Sequence, residues 1–472
     1  MNKDYKDMPN DEHKNLRDYM TYVKNHHRKP SSFYVITYGC QMNARDSETL
    51  AGMFLEMAIP EALSKETADI ILVNTCCVRE NAERRAFGNI AWLKELRKEN
   101  PSMIIGVCGC MIQQEGIDRV IAQDHPYVNF AFGTSNLHHF PRLLLNVLDE
   151  LSPSIAVHNV TSPQILEGMP VSRKNPYTAF VTVMYGCNNF CSYCVVPYVR
   201  GRERSREPES IINEVKTLRD SGVQEIILLG QNVNSYGLGL SKHITFPDLL
   251  KELELTQIPR IRFMTSHPKD FTDKLIQVLA ESRCFLPHVH LPVQSGSNEI
   301  LRAMNRRYTR EMYIELVSKI RHAIPCVGIT TDIIVGFPGE TENHFCDTMS
   351  LVKQIGFDAA YTFVYSARKG TVAYNMPGTL PKEITRDRIL RLIALQKECT
   401  QVVYQSLLGS IEYVLAEGLS KRGERSIYGK GRRGITVNFL GSSEDIGRIV
   451  RVKITETRAS TLRGFKIDGE DL

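Results

Sequence analysis

The stretch TAFVTVMYGCNNFCSYCVVPYVRGRERSR, residues 178–206, decides the architecture. Its first half, TAFVTVMYG (178–186), is β-rich and ends in glycine, and Cys187, Cys191 and Cys194 follow at once in a Cys-x3-Cys-x2-Cys spacing. A tight loop at the carboxyl end of a strand lets three thiolates converge on one metal centre, and that end is where βα folds bind ligands. The count is informative. A structural zinc takes four ligands, and a four-iron cluster normally takes four cysteines. With three, one iron keeps an open position that a small molecule can chelate. A zinc site completed by a distant His or Cys is the bland alternative.

Downstream the βα rhythm continues. QEIILLG (224–230), RIRFMTS (260–266), FLPHVHLPV (285–293), GITTDIIVG (328–336) and DAAYTFVYS (358–366) read as strands, with helical stretches such as 208–221, 309–323 and 341–355 between them. With 178–186 they make six repeats, the pattern of an open or partial βα barrel. Past about residue 403 the texture changes. IEYVLAEG (411–418), SIYGKG (426–431), GITVNFLG (434–441), GRIVRVKIT (447–455) and a run ending at Ile467 are short strands separated by Gly and charge. Five strands at this spacing fit a small β-barrel of oligonucleotide-binding type.

Upstream, SFYVITYG (32–39), ADIILVN (68–74), SMIIGVCG (102–109) and VNFAFG (128–133) alternate with helical patterns from Asp46, from 78 to 99 and up to about Glu150. That order predicts a parallel sheet. Cys40, Cys76 and Cys110 follow the first three strands, 36 and 34 residues apart, one βα unit each. Each thiol should emerge at the same sheet edge, on a ligand-binding crevice. Three unrelated core cysteines are the alternative. Cys108 lies inside its strand, Cys77 ranks below Cys76 as a ligand, and Cys284, Cys326, Cys346 and Cys399 stand alone as core residues.

The chain is thus expected to be α/β, with a polar N-terminal arm (1–31), an N-terminal parallel α/β domain (32–150), a linker (151–176), a central partial (β/α)6 barrel (177–402) and a C-terminal β-barrel (403–470). Apolar residues at 42% and charged ones at 24% allow large cores. Twelve cysteines in 472 residues are too sparse for a disulfide scaffold. The first twenty residues lack an apolar core, and no run approaches the roughly 20 apolar residues of a bilayer span. The expectation is a cytoplasmic protein, off the membrane, with reduced thiols. A net charge of +5 permits a nucleic-acid partner without arguing for one.

Basic clusters sharpen that. Arg200, Arg202, Arg204 and Arg206 alternate after the cysteine loop, and at period two they would share one face of an extended segment. Lys421, Arg422, Arg425, Lys430, Arg432 and Arg433 crowd the second barrel, opposed only by Glu424. Both groups are expected to contact RNA phosphates. Solvated or ion-paired loops are the plain alternatives.

The Cys-x3-Cys-x2-Cys motif with Tyr193 before its last cysteine resembles the radical S-adenosylmethionine (SAM) superfamily. GCQMN, NTCCVREN and Gly109-Cys110, followed by that core and a small β-barrel that resembles the TRAM domain, make the chain from about 32 to 470 similar to the methylthiotransferase family. PYVRGRERSR (197–206), LLGQNVNSYG (228–237), RFMTSHP (262–268), LPVQSGS (291–297) and DIIVGFPGET (332–341) are similar to members that act on isopentenylated adenosine in tRNA. Val372 departs from the family's frequent Pro in a loop, and Cys77 adds a thiol beside a ligand position.

The resemblance implies two 4Fe-4S clusters, one on Cys40, Cys76 and Cys110 and one on Cys187, Cys191 and Cys194, with these six as the catalytic centre. It implies SAM contacts from Tyr193, from Gly230, Gln231 and Asn232, from Gln294 and Ser295, from Thr331 and Asp332, and from Gly336, Phe337, Pro338, Gly339 and Glu340. One SAM would methylate a sulfur at the N-terminal cluster. A second would yield the 5′-deoxyadenosyl radical that opens the C2–H bond of the adenine beside the anticodon. A monomer served by an electron donor of flavodoxin or ferredoxin type is expected. The rivals are a sister methylthiotransferase, acting on threonylcarbamoyl-adenosine in tRNA or on a ribosomal-protein aspartate, and a non-catalytic iron–sulfur RNA-binding or electron-transfer protein.

Overall fold

Ile70–Thr75 opens with four apolar residues and Ile104–Gly109 is apolar throughout, and every residue in both is buried. Only a strand covered on both faces needs that composition, which is the condition of a parallel sheet. In the computed structural model, which describes residues 12–78, 80–149, 154–156, 165, 167–420 and 426–467, they are the second and third of five parallel strands. The order is β1 (Phe33–Thr37), β2 (Ile70–Thr75), β3 (Ile104–Gly109), β4 (Phe130–Phe132) and β5 (Ser154–Ala156). On one face Phe130 and Phe132 pack with Leu50, Phe54 and Phe140, and on the other Ile71, Val73 and Val107 pack with Ile90 and Leu93.

Two expectations change here. The polar N-terminal arm is, over Glu12–Asn25, a helix whose Leu16, Met20 and Val23 are buried in the first of those cores. A spacing of four and three residues puts them on one helical stripe. The linker begins later than 151, because residues 154–156 pair in parallel with Phe130–Phe132.

The chain divides into two compact units, and the boundary cuts through the deciding stretch. The first unit takes the described residues up to Lys174 together with Val195–Arg202; the second takes Asn175–Cys194 and the described residues from Glu203 onward.

In the second unit β6 (Thr178–Thr182) is followed by a two-residue pair, β7 (Met184–Tyr185) and β8 (Arg204–Ser205). Then come β9 (Glu225–Leu229), β10 (Arg260–Phe263), β11 (His288–His290), β12 (Gly328–Val335) and β13 (Ala359–Val364). The parallel orders β10-β9-β6 and β11-β12-β13 are joined by a parallel bridge from Ile261 to Phe285, so six βα repeats curl into a partial barrel. The long helix Lys382–Ser406 leads to β14 (Ile411–Leu419), β15 (Ser426–Lys430), β16 (Thr436–Leu440), β17 (Ile449–Thr457) and β18 (Thr461–Lys466), which close as β14-β15-β16-β18-β17. Val414, Ile427, Val437, Phe439, Val452 and Leu462 fill this barrel. Among the described residues no helix is long and apolar enough to cross a membrane.

Candidate functional site

In the first unit β1, β2 and β3 run parallel in register, with Thr37 beside Asn74 and Asn74 beside Cys108. Cys40, Cys76 and Cys110 therefore leave the sheet at one edge. Cys40 opens the helix Gln41–Glu56 as its N-cap. Gly39 has φ +108°, and a Cβ there would lie 2.5 Å from the Cys76 Cβ. Only glycine lets the Cys40 loop come this close to Cys76. Asn43 ties the edge together: its Nδ2 donates to Tyr38 O (2.9 Å) and Thr75 O (2.7 Å). Its Oδ1 accepts from Arg200 Nη2 at 2.8 Å and from the Cys110 thiol at 3.7 Å.

Cys77 is as deeply buried as Cys76 and shares an apolar cluster with Cys110, Val195 and Val199. Its hydrogen bond with Cys110 pulls the Cys110 thiol below its ordinary range against the effect of burial, with Arg200 adding to the pull, while the same bond and burial push Cys77 up. The extra thiol is thus a neighbour of the trio rather than a distant core residue. Cys108 is fully buried in the sheet, as expected.

In the second unit one loop carries Cys187, Cys191 and Cys194. Ser192 pins it: its N donates to Met304 O (3.1 Å), its Oγ to Ala303 O (2.7 Å), and its O accepts from Ala373 N (2.7 Å). Val372 is exposed in the short turn that supplies this last bond. Asn189 aims both its backbone N and its Nδ2 at the Cys187 sulfur, each at 3.5 Å. Arg306 Nη1 donates to the Cys191 sulfur at 3.2 Å. Its other nitrogens reach Pro292 O (3.1 Å) and the Tyr308 hydroxyl (3.1 Å), and among the described residues no carboxylate pairs with it. A buried guanidinium balanced by no carboxylate calls for negative charge at the sulfurs. No motif or spacing points to Arg306, which lies 112 residues beyond Cys194 in NRRYT. Burial pushes the Cys187 thiol up to about 11, so a metal must displace its proton.

Among the described residues no three His, Cys, Asp or Glu side chains close on a single-ion site. The donor sets fit a four-iron cluster: three thiols on short loops, with N–H donors already turned to the sulfurs, including Val78 N to Cys76 at 3.4 Å. Such donors orient the ligands and tune the metal.

The other expected residues divide. Tyr193 packs edge-on against Phe337 (6.5 Å, 80°), and Phe337 against Tyr365, so the cysteine loop and the Gly336–Glu340 turn lie together. Gln231 Oε1 accepts from Gly186 N beside Cys187. Gly230 follows β9, and Asn232 donates to Asp270 at 2.7 Å. Gln294, at φ +70°, joins Asp332 and Ile334 through its backbone. Gly339 N donates to Gly378 O, and Pro338 completes that turn.

Three of the residues expected at SAM have side chains bonded within the scaffold. Ser295 Oγ meets Thr348 at 3.3 Å, Thr331 Oγ1 lies between Val293 N and Leu291 O, and Glu340 bonds Gly336 N and Arg388 (2.7 Å). The arginine run is not one extended segment, because Arg200 caps the short helix Val196–Val199. Arg200 is buried in the first unit on Asn43 and Asp46 (2.7 Å), and Arg206 is buried in the second on Thr182 O and Glu214 (each 2.7 Å). Arg204 lies over the Tyr185 ring, and Arg202 is exposed.

In the C-terminal barrel Arg433 is paired to the buried Asp358, Lys430 Nζ donates to Thr436 Oγ1 (2.8 Å), and Arg432 is exposed. The backbone of Lys430 and Gly431 accepts from Arg260 and Arg262, both paired to Glu225 at 2.9 Å. This hairpin anchors one barrel to the other through its backbone and Arg433. Lys421, Arg422 and Arg425 fall outside the described residues.

Comparison with known proteins adds names to this geometry. Residues 181–352 match the radical SAM superfamily, 32–133 match an uncharacterized protein family, UPF0004, and 405–467 match the TRAM domain. A tRNA-2-methylthio-N(6)-dimethylallyladenosine synthase of Clostridium botulinum (strain Loch Maree / Type A3) is 49% identical over 92% of this chain and 97% of its own. The enzyme of the same name from Clostridium tetani is 47% identical over 96% of this chain and 100% of its own. Among solved structures, the radical SAM methyltransferase TsrM of Kitasatospora setae, with cobalamin and a [4Fe-4S] cluster bound, aligns at TM-score 0.52 and 16% identity over 73% of each chain. At that identity the likeness is one of fold.

Proposed function

The chain belongs to the tRNA-2-methylthio-N(6)-dimethylallyladenosine synthase family of radical SAM enzymes, and from that premise we propose that it converts N6-isopentenyladenosine next to the anticodon of tRNA into the 2-methylthio derivative. The observation that carries the reading is the pair of thiol trios, one inside the segment 32–133 and one inside the radical SAM segment 181–352.

Cys187, Cys191 and Cys194 would hold one 4Fe-4S cluster, and Cys40, Cys76 and Cys110 the other; SAM is the further cofactor. When bound, these groups supply the one-electron cleavage that opens an unactivated aromatic C–H bond, and the sulfur and methyl that replace its hydrogen. This chain's residues do the rest. Arg306 and Asn189 hold the Cys191 and Cys187 sulfurs in place and stabilise negative charge there. Asn43 and Arg200 do the same at the sheet edge. Tyr193 and Phe337 wall the cysteine loop with aromatic surface that excludes water. The backbone of the Gly336–Glu340 turn, set by Glu340 and Arg388, offers a close approach to an adenine ring. The electron donor is of flavodoxin or ferredoxin type, and the enzyme works in the cytoplasm as a monomer.

The test is anaerobic turnover of the reconstituted protein with SAM, a reductant and isopentenylated tRNA, followed by nucleoside mass spectrometry. A 2-methylthio product together with 5′-deoxyadenosine is expected. Product on threonylcarbamoylated tRNA alone would move the chain to a sister activity, and absence of 5′-deoxyadenosine would leave the electron-transfer reading.

A further inference from the structure

Alternation along β15, β16 and β18 sends Ile427, Val437, Phe439 and Leu462 into the C-terminal barrel and turns their neighbours outward. The outward residues line up across strands. Gly418 pairs with Tyr428, Tyr428 with Asn438, and Asn438 with Arg463. One row along, Leu440 pairs with Phe465, and these side chains are 70% and 47% exposed. This face borders an open groove of about 930 Å³, lined by Tyr428, Thr436, Asn438, Arg458, Thr461 and Arg463 together with Glu456.

The groove is built rather than incidental. A Cβ on Gly418 would come within 3.2 Å of Tyr428 Cε1, so the ring leans over the one residue that leaves it room. An aromatic held in this way along a strand presents a flat platform. Beside it stand an amide and hydroxyls that can read a base edge. Arg458 and Arg463 share a single carboxylate, Glu456, at 2.8 and 3.7 Å, so the rim keeps a net positive charge. Flat aromatic surface, base-edge partners and guanidinium in one row are the features that hold an unpaired nucleotide.

We propose that this outer face, and not the Lys430–Arg433 hairpin, is where the barrel holds an unpaired nucleotide of the tRNA, its base stacked on Tyr428 and its phosphate at Arg463. The inference rests on the tRNA reading above and narrows it to a surface.

The experiment measures binding of a fluorescent anticodon stem-loop, isopentenylated at its adenosine, to the anaerobic holoenzyme across a salt series. Tyr428→Ala should weaken binding roughly 5- to 150-fold, the equivalent of one base stack, while Tyr428→Phe keeps wild-type affinity. Arg463→Gln should lower the slope of log affinity against log salt by about one. If Tyr428→Ala proves misfolded by circular dichroism, the Arg463→Gln slope decides alone: a fall supports the assignment and no change overturns it. Wild-type affinity and slope in both folded variants would overturn it while leaving the tRNA reading intact. Failure of the wild-type protein to bind the stem-loop would instead sink the tRNA reading itself.

Discussion

In the N-terminal unit three successive βα repeats each deliver one cysteine, so Cys40, Cys76 and Cys110 meet only because β1, β2 and β3 lie parallel and in register. In the barrel one loop of eight residues, Cys187 to Cys194, delivers all three. The first trio is a property of the sheet, the second of a local motif. Each is nonetheless served by a buried arginine that the sequence places far away, Arg200 beside Cys110 and Arg306 on Cys191. The placement of charge is therefore shared where the route to the thiols is not.

The sharpest way to break this comparison is to remove one thiol from each trio. Cys191→Ala should abolish 5′-deoxyadenosine formation, whereas Cys110→Ala should leave it and abolish methylthio product. Loss of radical formation in both would mean that the trios do not have separate tasks.

Next come the arginines. Arg306→Gln should retain iron, move the barrel cluster's midpoint potential to more negative values and slow 5′-deoxyadenosine formation on the order of tenfold, the weight of one charged hydrogen bond. Arg306→Lys should recover most of this, and Arg200→Gln should leave the potential of the barrel cluster alone. Titration followed by electron paramagnetic resonance, in protein lacking the N-terminal thiols, reads these shifts directly.

A third pair of variants tests whether the basic hairpin is an anchor. Asp358→Ala leaves Arg433 buried without its partner and should cost about 3–5 kcal/mol in denaturant unfolding of the second unit. Arg432→Ala, at an exposed neighbour, should stay within about 0.5 kcal/mol.

The smallest effect is expected at Cys77. Cys77→Ser should keep the iron of the N-terminal site, where Cys76→Ser loses it, as iron and sulfide analysis would record.

Much of the scaffold was legible in the chain because hydrophobic pattern carries it. Buried runs such as IILVNT (70–75) and alternating ones such as VRVKIT (450–455) each admit one environment. Glu12–Asn25 escaped because three buried residues, Leu16, Met20 and Val23, are scattered among polar ones. Ser154–Ala156 escaped because three residues are too few to show a period. At the candidate site the placement of the six cysteines just past strand ends was legible from spacing. The roles of the arginines were not, since Arg200, Arg206 and Arg433 are as basic in sequence as Arg432. Only their partners, Asp46, Glu214 and Asp358, distinguish an ion-paired residue from one facing solvent. Arg306 was hidden for the converse reason: what it serves is a sulfur brought to it by the fold.

Mössbauer spectroscopy of the anaerobically prepared protein, before and after adding SAM, tests the paired-site account most directly. It predicts two four-iron clusters per chain, each with one iron outside the thiolate set, and a change at that iron of the barrel cluster when SAM is added. A single cluster, or a fourth side-chain ligand on either, would contradict it.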